Sequence, residues 1–197
     1  GIATAAKWGT AIVGGATAAA SGLTALATSS AATADNVDKM SQKIGVSREA
    51  YQELDFICSQ SGMEVDKLQN GMKSLVSAMD GAASGTSSNI EQFNKLGISV
   101  TDANGNMRSS EDVMWETFSA LQGMENQTEK ARLATELFGK SGTELMPLLN
   151  GASGSIDEMK QKAHDLGLVL SDESIDAGVS LTDTMDQMKR SLSGVVT

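Results

Sequence analysis

His164 is the only histidine in the 197-residue chain. A zinc site or a Ser-His-Asp triad in this chain would depend on it. The sequence places no ligand-spaced partners around it, and the stretch from Lys160 to Asp165 is polar. We therefore predict a solvated histidine near the C-terminus of a helix, where the helix dipole favours positive charge.

Gly139-Lys140-Ser141 resembles the end of a phosphate-binding loop. That motif requires a glycine five residues before Gly139, where this chain has Ala134, and it follows a strand, whereas a helix is predicted here. Without the glycine-rich loop the backbone N–H groups cannot surround a phosphate, so the sequence argues against a nucleotide site.

Asp102, Asn104 and Asn106 have the spacing that opens a calcium-binding loop. The loop glycine comes two places early, at Gly105, and the twelfth position is Val113 in place of a glutamate. We interpret these residues as the turn of a β-hairpin.

Pairs of acidic residues could serve acid–base catalysis, as in Glu53/Asp55 and Glu111/Asp112. Nothing in the sequence places them in an aromatic-lined pocket, and residues in first turns complement the helix dipole. We expect solvated structural carboxylates.

Cys58 is the only cysteine, which excludes a disulfide or a thiolate metal cluster within one chain. Its neighbours Phe56 and Ile57 predict a buried side chain. We predict no catalytic residue, no cofactor and no metal ion for this stretch, and we expect that it is not an enzyme.

The composition favours an α-helical protein. Apolar residues make up 40% of the chain but aromatic residues only 4%, and there is one proline against twenty glycines. The net charge is −10 and no Lys/Arg cluster occurs, so specific nucleic-acid binding is not expected. The chain starts at Gly1 without a leader pattern, and we expect it to be a piece of a longer protein.

Apolar residues recur three and four positions apart along most of the chain, which predicts a succession of helices. Ser47 and Asn126 are predicted N-caps, and three Ser-x-x-Glu patterns predict capping boxes at Ser88, Ser141 and Ser155. Ile44-Gly45, Leu96-Gly97 and Leu166-Gly167 predict left-handed glycine ends. The predicted helices cover about residues 47–60, 63–79, 88–96, 110–121, 126–138, 141–149, 155–166 and 171–192, with a small-residue linker at 81–87.

One small β-hairpin is predicted near residues 98–108. Ile98 to Asp102 alternates apolar and polar residues, and Asn104-Gly105 is a strong turn signal. The predicted fold is therefore mostly α, as a multi-helix bundle or an extended helical array with this one hairpin.

Residues 1–34 form a Gly/Ala-rich segment with no charge between Trp8 and Ala34. Small residues four apart, such as Gly14, Ala18 and Gly22, would let another helix approach closely. We divide the chain into this helical or flexible segment and a helical core region, 35–197. Insertion of residues 1–34 into a membrane is an alternative, which their Thr and Ser content disfavours.

Methionine stripes are the candidate interaction surfaces. Met72, Met79, Met185 and Met188 lie on predicted helices and could pack against sister chains. Packing within one chain explains the same pattern equally well.

The stretch from Ala131 to Leu149, ARLATELFGKSGTELMPLL, resembles a recurring segment of tape measure proteins from tailed phages and phage-derived tails. The block from Leu96 through Arg108 with its following helix, and the helix ending at Leu166-Gly167, also resemble that family. Together these pieces cover roughly residues 35–195.

The resemblance implies a long helical protein in the lumen of the tail tube, made in the bacterial host and carried in the virion. Its length would set tail length, and it would leave ahead of the DNA. The implied partners are sister tape measure chains, the tail tube protein, tail tip or baseplate hub proteins, tail assembly chaperones and, transiently, the host membrane. A membrane-active helical segment that aids genome delivery and a generic helical interaction domain remain the alternative functions. Peptidoglycan-cleaving domains occur in some such proteins, but this segment lacks the residues they use.

Overall fold

A computed structural model describes residues 20–151 and 154–194. Within those ranges the chain forms ten α-helices and one 3-10 turn, Val65–Lys67, which precedes α3. The helices are α1 (Ala20–Ile44), α2 (Arg48–Gln60), α3 (Leu68–Ala83), α4 (Ser87–Leu96), α5 (Ser110–Gln122), α6 (Gln127–Phe138), α7 (Ser141–Glu144), α8 (Met146–Leu149), α9 (Ile156–Asp165) and α10 (Asp172–Gly194).

The mostly α class is confirmed, but the predicted hairpin is wrong. In the described part of the chain, residues 98–108 contain only one isolated antiparallel bridge, between Thr101 and Met107. The Asp102 carboxylate accepts hydrogen bonds from the backbone N–H groups of Asn104 and Asn106, at 2.8 and 2.9 Å. Ser109 then caps α5 directly, so no residues remain for a longer ladder.

Most predicted helix ends are confirmed. Ser47 caps α2, Asn126 caps α6, and Ser155 forms a capping box with Glu158 at the start of α9. The Leu-Gly joints are confirmed too. Gly97 has φ +70°, and the Ile98 N–H bonds back to the Phe93 carbonyl at 3.0 Å.

Two of the three predicted capping boxes are wrong, those at Ser88 and Ser141. Helix α4 begins one residue before Ser88, with Thr86 at its N-cap. The Ser141 hydroxyl turns away from its own helix and donates to the Lys67 carbonyl at 2.9 Å. The Ser141 side chain, which the local pattern predicted to cap its own helix, makes a tertiary contact instead. Helix α3 also differs, because it begins after the 3-10 turn and continues to Ala83, which shortens the linker.

Helix α3 occupies the centre of the core and contacts α1, α4, α5 and α6. Its residues Leu68, Met72, Leu75 and Met79 are buried. Beside it the rings of Phe118 and Phe138 lie 5.2 Å apart, tilted by 32°. Apolar burial of this kind is the main stabilising contribution to the fold.

The two longest helices, α1 and α10, pack along each other. At their contact, Gly178 of α10 lies against Ala31 and Ala34 of α1, and a β-carbon on Gly178 would overlap the Ala34 methyl group. Helix α1 starts inside the Gly/Ala-rich segment and continues past residue 34 without a break. Residues 1–19, to which most of that segment belongs, lie outside the described residues.

We expect Gly178→Ala to destabilise the α1–α10 pair by about 1–3 kcal/mol, because overpacking a close helix contact outweighs the gain in helix propensity. Hydrogen exchange of the α10 amides measures the effect and should accelerate. Ser180→Ala, at an exposed position of the same helix, is the control and should leave exchange unchanged or slower. Equal exchange in wild type and Gly178→Ala would contradict the close packing.

Two glutamine side chains hold the ends of α9. Gln122 donates to the Gly154 carbonyl at 3.0 Å and accepts from the Ile156 N–H at 3.2 Å. The buried Gln52 accepts from the Leu170 N–H at 2.8 Å and donates to the Leu170 carbonyl at 3.2 Å. The start of α9 is therefore held against α5, and the segment that follows α9 is held against α2, which fixes the side chains that α9 carries.

No helix in the described ranges has both the length and the hydropathy that crossing a membrane would require.

Candidate functional site

Helices α2 and α9 bring together a cluster of polar side chains. Glu49 and Glu53 lie one turn apart on α2, and His164 lies near the end of α9. The His164 Nε2 atom is 2.9 Å from Glu53 Oε1 and 3.4 Å from Glu49 Oε1. The imidazole therefore bridges two carboxylates on a neighbouring helix.

Glu53 is a buried carboxylate, with 5% of its side chain exposed. Its second oxygen, Oε2, lies 3.2 Å from the Lys160 ammonium. That ammonium also sits 4.4 Å from the centre of the Trp115 ring, in a cation–π contact. Both oxygens of the buried carboxylate thus have partners, as a charge removed from water requires.

The structure corrects one prediction here, because Glu53 is buried and not solvated. His164 is exposed in the last turn of its helix, as predicted, and the structure pairs it with two acidic side chains. Residues 53 and 164 are 111 positions apart, so local sequence gave no reason to pair them. The available signal was a matching four-residue spacing, Glu49/Glu53 on one helix and Lys160/His164 on another.

The Gly139-Lys140-Ser141 stretch forms a tight corner between α6 and α7. Gly139 has φ +59°, and the Ser141 hydroxyl bonds to the end of the 3-10 turn before α3. Gly142 lies so close to α6 that a β-carbon there would overlap the Ala134 carbonyl. These residues join two helices, and their backbone packs closely against α6 and does not form a phosphate-binding loop.

Asp102 organises its own loop. Hydrogen bonds from the backbone and side chain of Asn106, and from the backbone of Asn104, hold the pKa of Asp102 below its usual value. The carboxylate that suggested a calcium loop therefore serves as the acceptor of a local turn, in line with the interpretation as turn residues.

Cys58 is buried, as predicted. Burial raises the pKa of its thiol to about 12. The thiolate form is the nucleophile and metal ligand, so this side chain behaves as a small apolar residue.

A model of the family described as phage-related minor tail protein matches residues 2–139 of the chain. The chain belongs to this family. No curated protein and no solved structure matches it.

Membership of the phage-related minor tail proteins gives the chain a structural role in a phage tail, and so associates it with the virion. The finer resemblance to tape measure proteins lies in residues that include α6, α7 and α8. The family match ends at residue 139, so it contains α6 but not α7 or α8.

The four candidate interaction methionines of this minor tail protein differ in their exposure. Met72 and Met79 are 2% and 0% exposed, so they belong to the core and offer no interaction surface. Met188 is 60% exposed on α10, and Leu181 on the same helix is 40% exposed. Of the two candidate methionines on α10, Met188 is exposed and Met185 is half-buried.

Proposed function

We propose that this chain is a segment of a tail tape measure protein, which lies in the lumen of the tail tube, sets tail length during assembly and leaves ahead of the DNA. The family match supports a tail protein. The observation that carries the finer proposal is the mostly helical chain across the described ranges, whose α6–α7–α8 corner is built by the residues that resemble tape measure proteins.

A helical chain converts residue number into length, because each residue adds about 1.5 Å along a helix. In the compact fold α10 packs along α1, so these two helices do not add their lengths. A ruler function therefore requires α10 to swing away from α1, at the joint Leu166-Gly167 to Ser171. Gly167 already has φ +65° at this joint.

The attachments of α10 are suited to such opening. Arg48 contacts Asp176 at 2.7 Å and Asp172 at 3.6 Å, and both aspartates are largely exposed. Exposed ion pairs of this type contribute only about 0–1 kcal/mol each. Opening would also expose Ile175, which is fully buried, and would break the close contact at Gly178.

The proposed partners follow from the same surfaces. Sister chains could cover the apolar surface at Leu181 and Met188 and replace the contact with α1. The tail tube protein would surround the chain, while tip or baseplate hub proteins, assembly chaperones and, transiently, the host membrane would contact it. Specific nucleic-acid binding is not proposed, because the chain carries a net charge of −10.

An in-frame deletion of residues 155–194 in the parent phage tests the ruler role. If the segment is extended and helical in the tail, we expect tails shorter by about 60 Å, because each deleted residue removes about 1.5 Å. Electron microscopy of purified tails measures the length.

The matched control replaces residues 155–194 by an unrelated helical sequence of equal length. Tails of wild-type length in the control and shortened tails in the deletion would support a measuring segment. Deletion tails of unchanged length would exclude this role for α9 and α10.

A further inference from the structure

We propose that Glu49, Glu53 and His164 form a binding site for one divalent transition-metal ion of the zinc class, which would tie α9 to α2. The site is independent of the tail-length proposal, because it rests only on the contact between these two helices.

The distances between the three candidate ligand atoms suit a metal ion. His164 Nε2 lies 2.9 and 3.4 Å from the nearer oxygens of Glu53 and Glu49, and all three atoms lie within 4.8 Å of one another. Ligand atoms that each bind zinc at about 2.0–2.2 Å in tetrahedral geometry are about 3.3 Å apart. Small side-chain movements would therefore complete three protein bonds and leave a fourth position for water.

The surroundings hold one ligand in place. Lys160 lies 3.2 Å from Glu53 Oε2, whereas His164 contacts the other oxygen, Oε1, and the Trp115 ring contacts Lys160 in turn. Contacts of this kind to the far side of a ligand orient it toward the metal. The Lys160 charge repels a cation, which limits affinity.

Access and charge are also suitable. The Glu49 and His164 side chains are 65% and 40% exposed, so an ion can enter from solvent. Two carboxylates and one ammonium leave one negative charge beside the imidazole, which a divalent ion more than offsets. An imidazole with two carboxylates selects zinc and its neighbours over magnesium or calcium, which prefer oxygen ligands.

Isothermal titration of the metal-free chain with Zn²⁺, and with Mg²⁺ for comparison, tests the proposal. We expect one Zn²⁺ per chain, no heat with Mg²⁺, and a melting temperature that rises with Zn²⁺ concentration because the ion binds the folded state. His164 is the only histidine, so its ring nitrogens report the bond by NMR without ambiguity.

Glu49→Gln and His164→Gln should each weaken Zn²⁺ binding by more than about tenfold. Removing a residue that only supports a metal ligand already lowers affinity by about tenfold or more, and these variants remove a ligand itself. Glu49 is largely exposed, so its variant should keep the fold. Glu125→Gln, an exposed surface position, is the matched control and should bind as wild type does. Absence of Zn²⁺ binding to wild type, or equal binding by all variants, would overturn the site.

Discussion

Gly142→Ala is expected to destabilise the chain by about 3 kcal/mol, the upper range for overpacking a tight contact. The β-carbon of the alanine would overlap the carbonyl oxygen and carbon of Ala134 and the backbone nitrogen of Thr135. All of these are backbone atoms inside α6, which cannot move aside as a flexible side chain can. The α6–α7 corner would have to open, and the Ser141 contact with Lys67 would be strained with it. Chemical denaturation followed by circular dichroism measures the loss.

Gly123→Ala is the matched control for this change. Gly123 ends α5 with φ −72°, and the nearest atoms to a β-carbon there are backbone oxygens at 3.6 Å. Alanine fits that conformation and restricts the unfolded chain, so the control should be neutral or stabilising by up to about 1 kcal/mol. Equal stabilities of the Gly142 and Gly123 variants would show that the corner is not closely packed.

Phe118→Ala should cost about 3–5 kcal/mol, the usual range for deleting a fully buried aromatic ring. Phe118 is 0% exposed. Its ring lies edge-on to Trp115 at 6.2 Å and against Phe138 at 5.2 Å, so the variant loses aromatic contacts and leaves a cavity. Equilibrium denaturation gives the free energy, and Trp115 fluorescence reports the loss of local packing.

Leu181→Ala serves as the comparison, because this side chain is 40% exposed on α10. Truncation of Leu181 should lower the free energy of unfolding by well under half as much as Phe118→Ala, since less buried apolar surface is lost. A Phe118 variant as stable as the Leu181 variant would rule out the aromatic cluster as the centre of the core.

Much of the architecture could be predicted from local sequence. The spacing of apolar residues indicated the helices, and Ser47, Asn126 and Ser155 were correctly predicted as N-caps. These features depend on hydrogen bonds within a few residues, so neighbouring side chains are sufficient to specify them. The residues from Ala131 to Leu149 also indicated a phage tail protein, in agreement with the family match over residues 2–139.

Local sequence could not decide the partners of side chains that have a choice of them. Ser141 had the spacing of a capping box but bonds to Lys67, 74 residues away. Met72 and Met188 lie on similar apolar stripes, yet one is 2% and the other 60% exposed. Periodicity identifies the apolar face of a helix, but only the packed neighbours decide whether that face is covered.

By itself, the sequence determined a helical chain with glycine joints, an acidic surface charge and a resemblance to tail proteins. Tertiary structure decided that Glu53 is buried, that His164 faces it, and that Asp102 closes a loop with only one bridge. Local patterns encode hydrogen bonds between near neighbours. The pairing of residues 53 and 164 depends on α2 meeting α9, which follows from burial of the whole core.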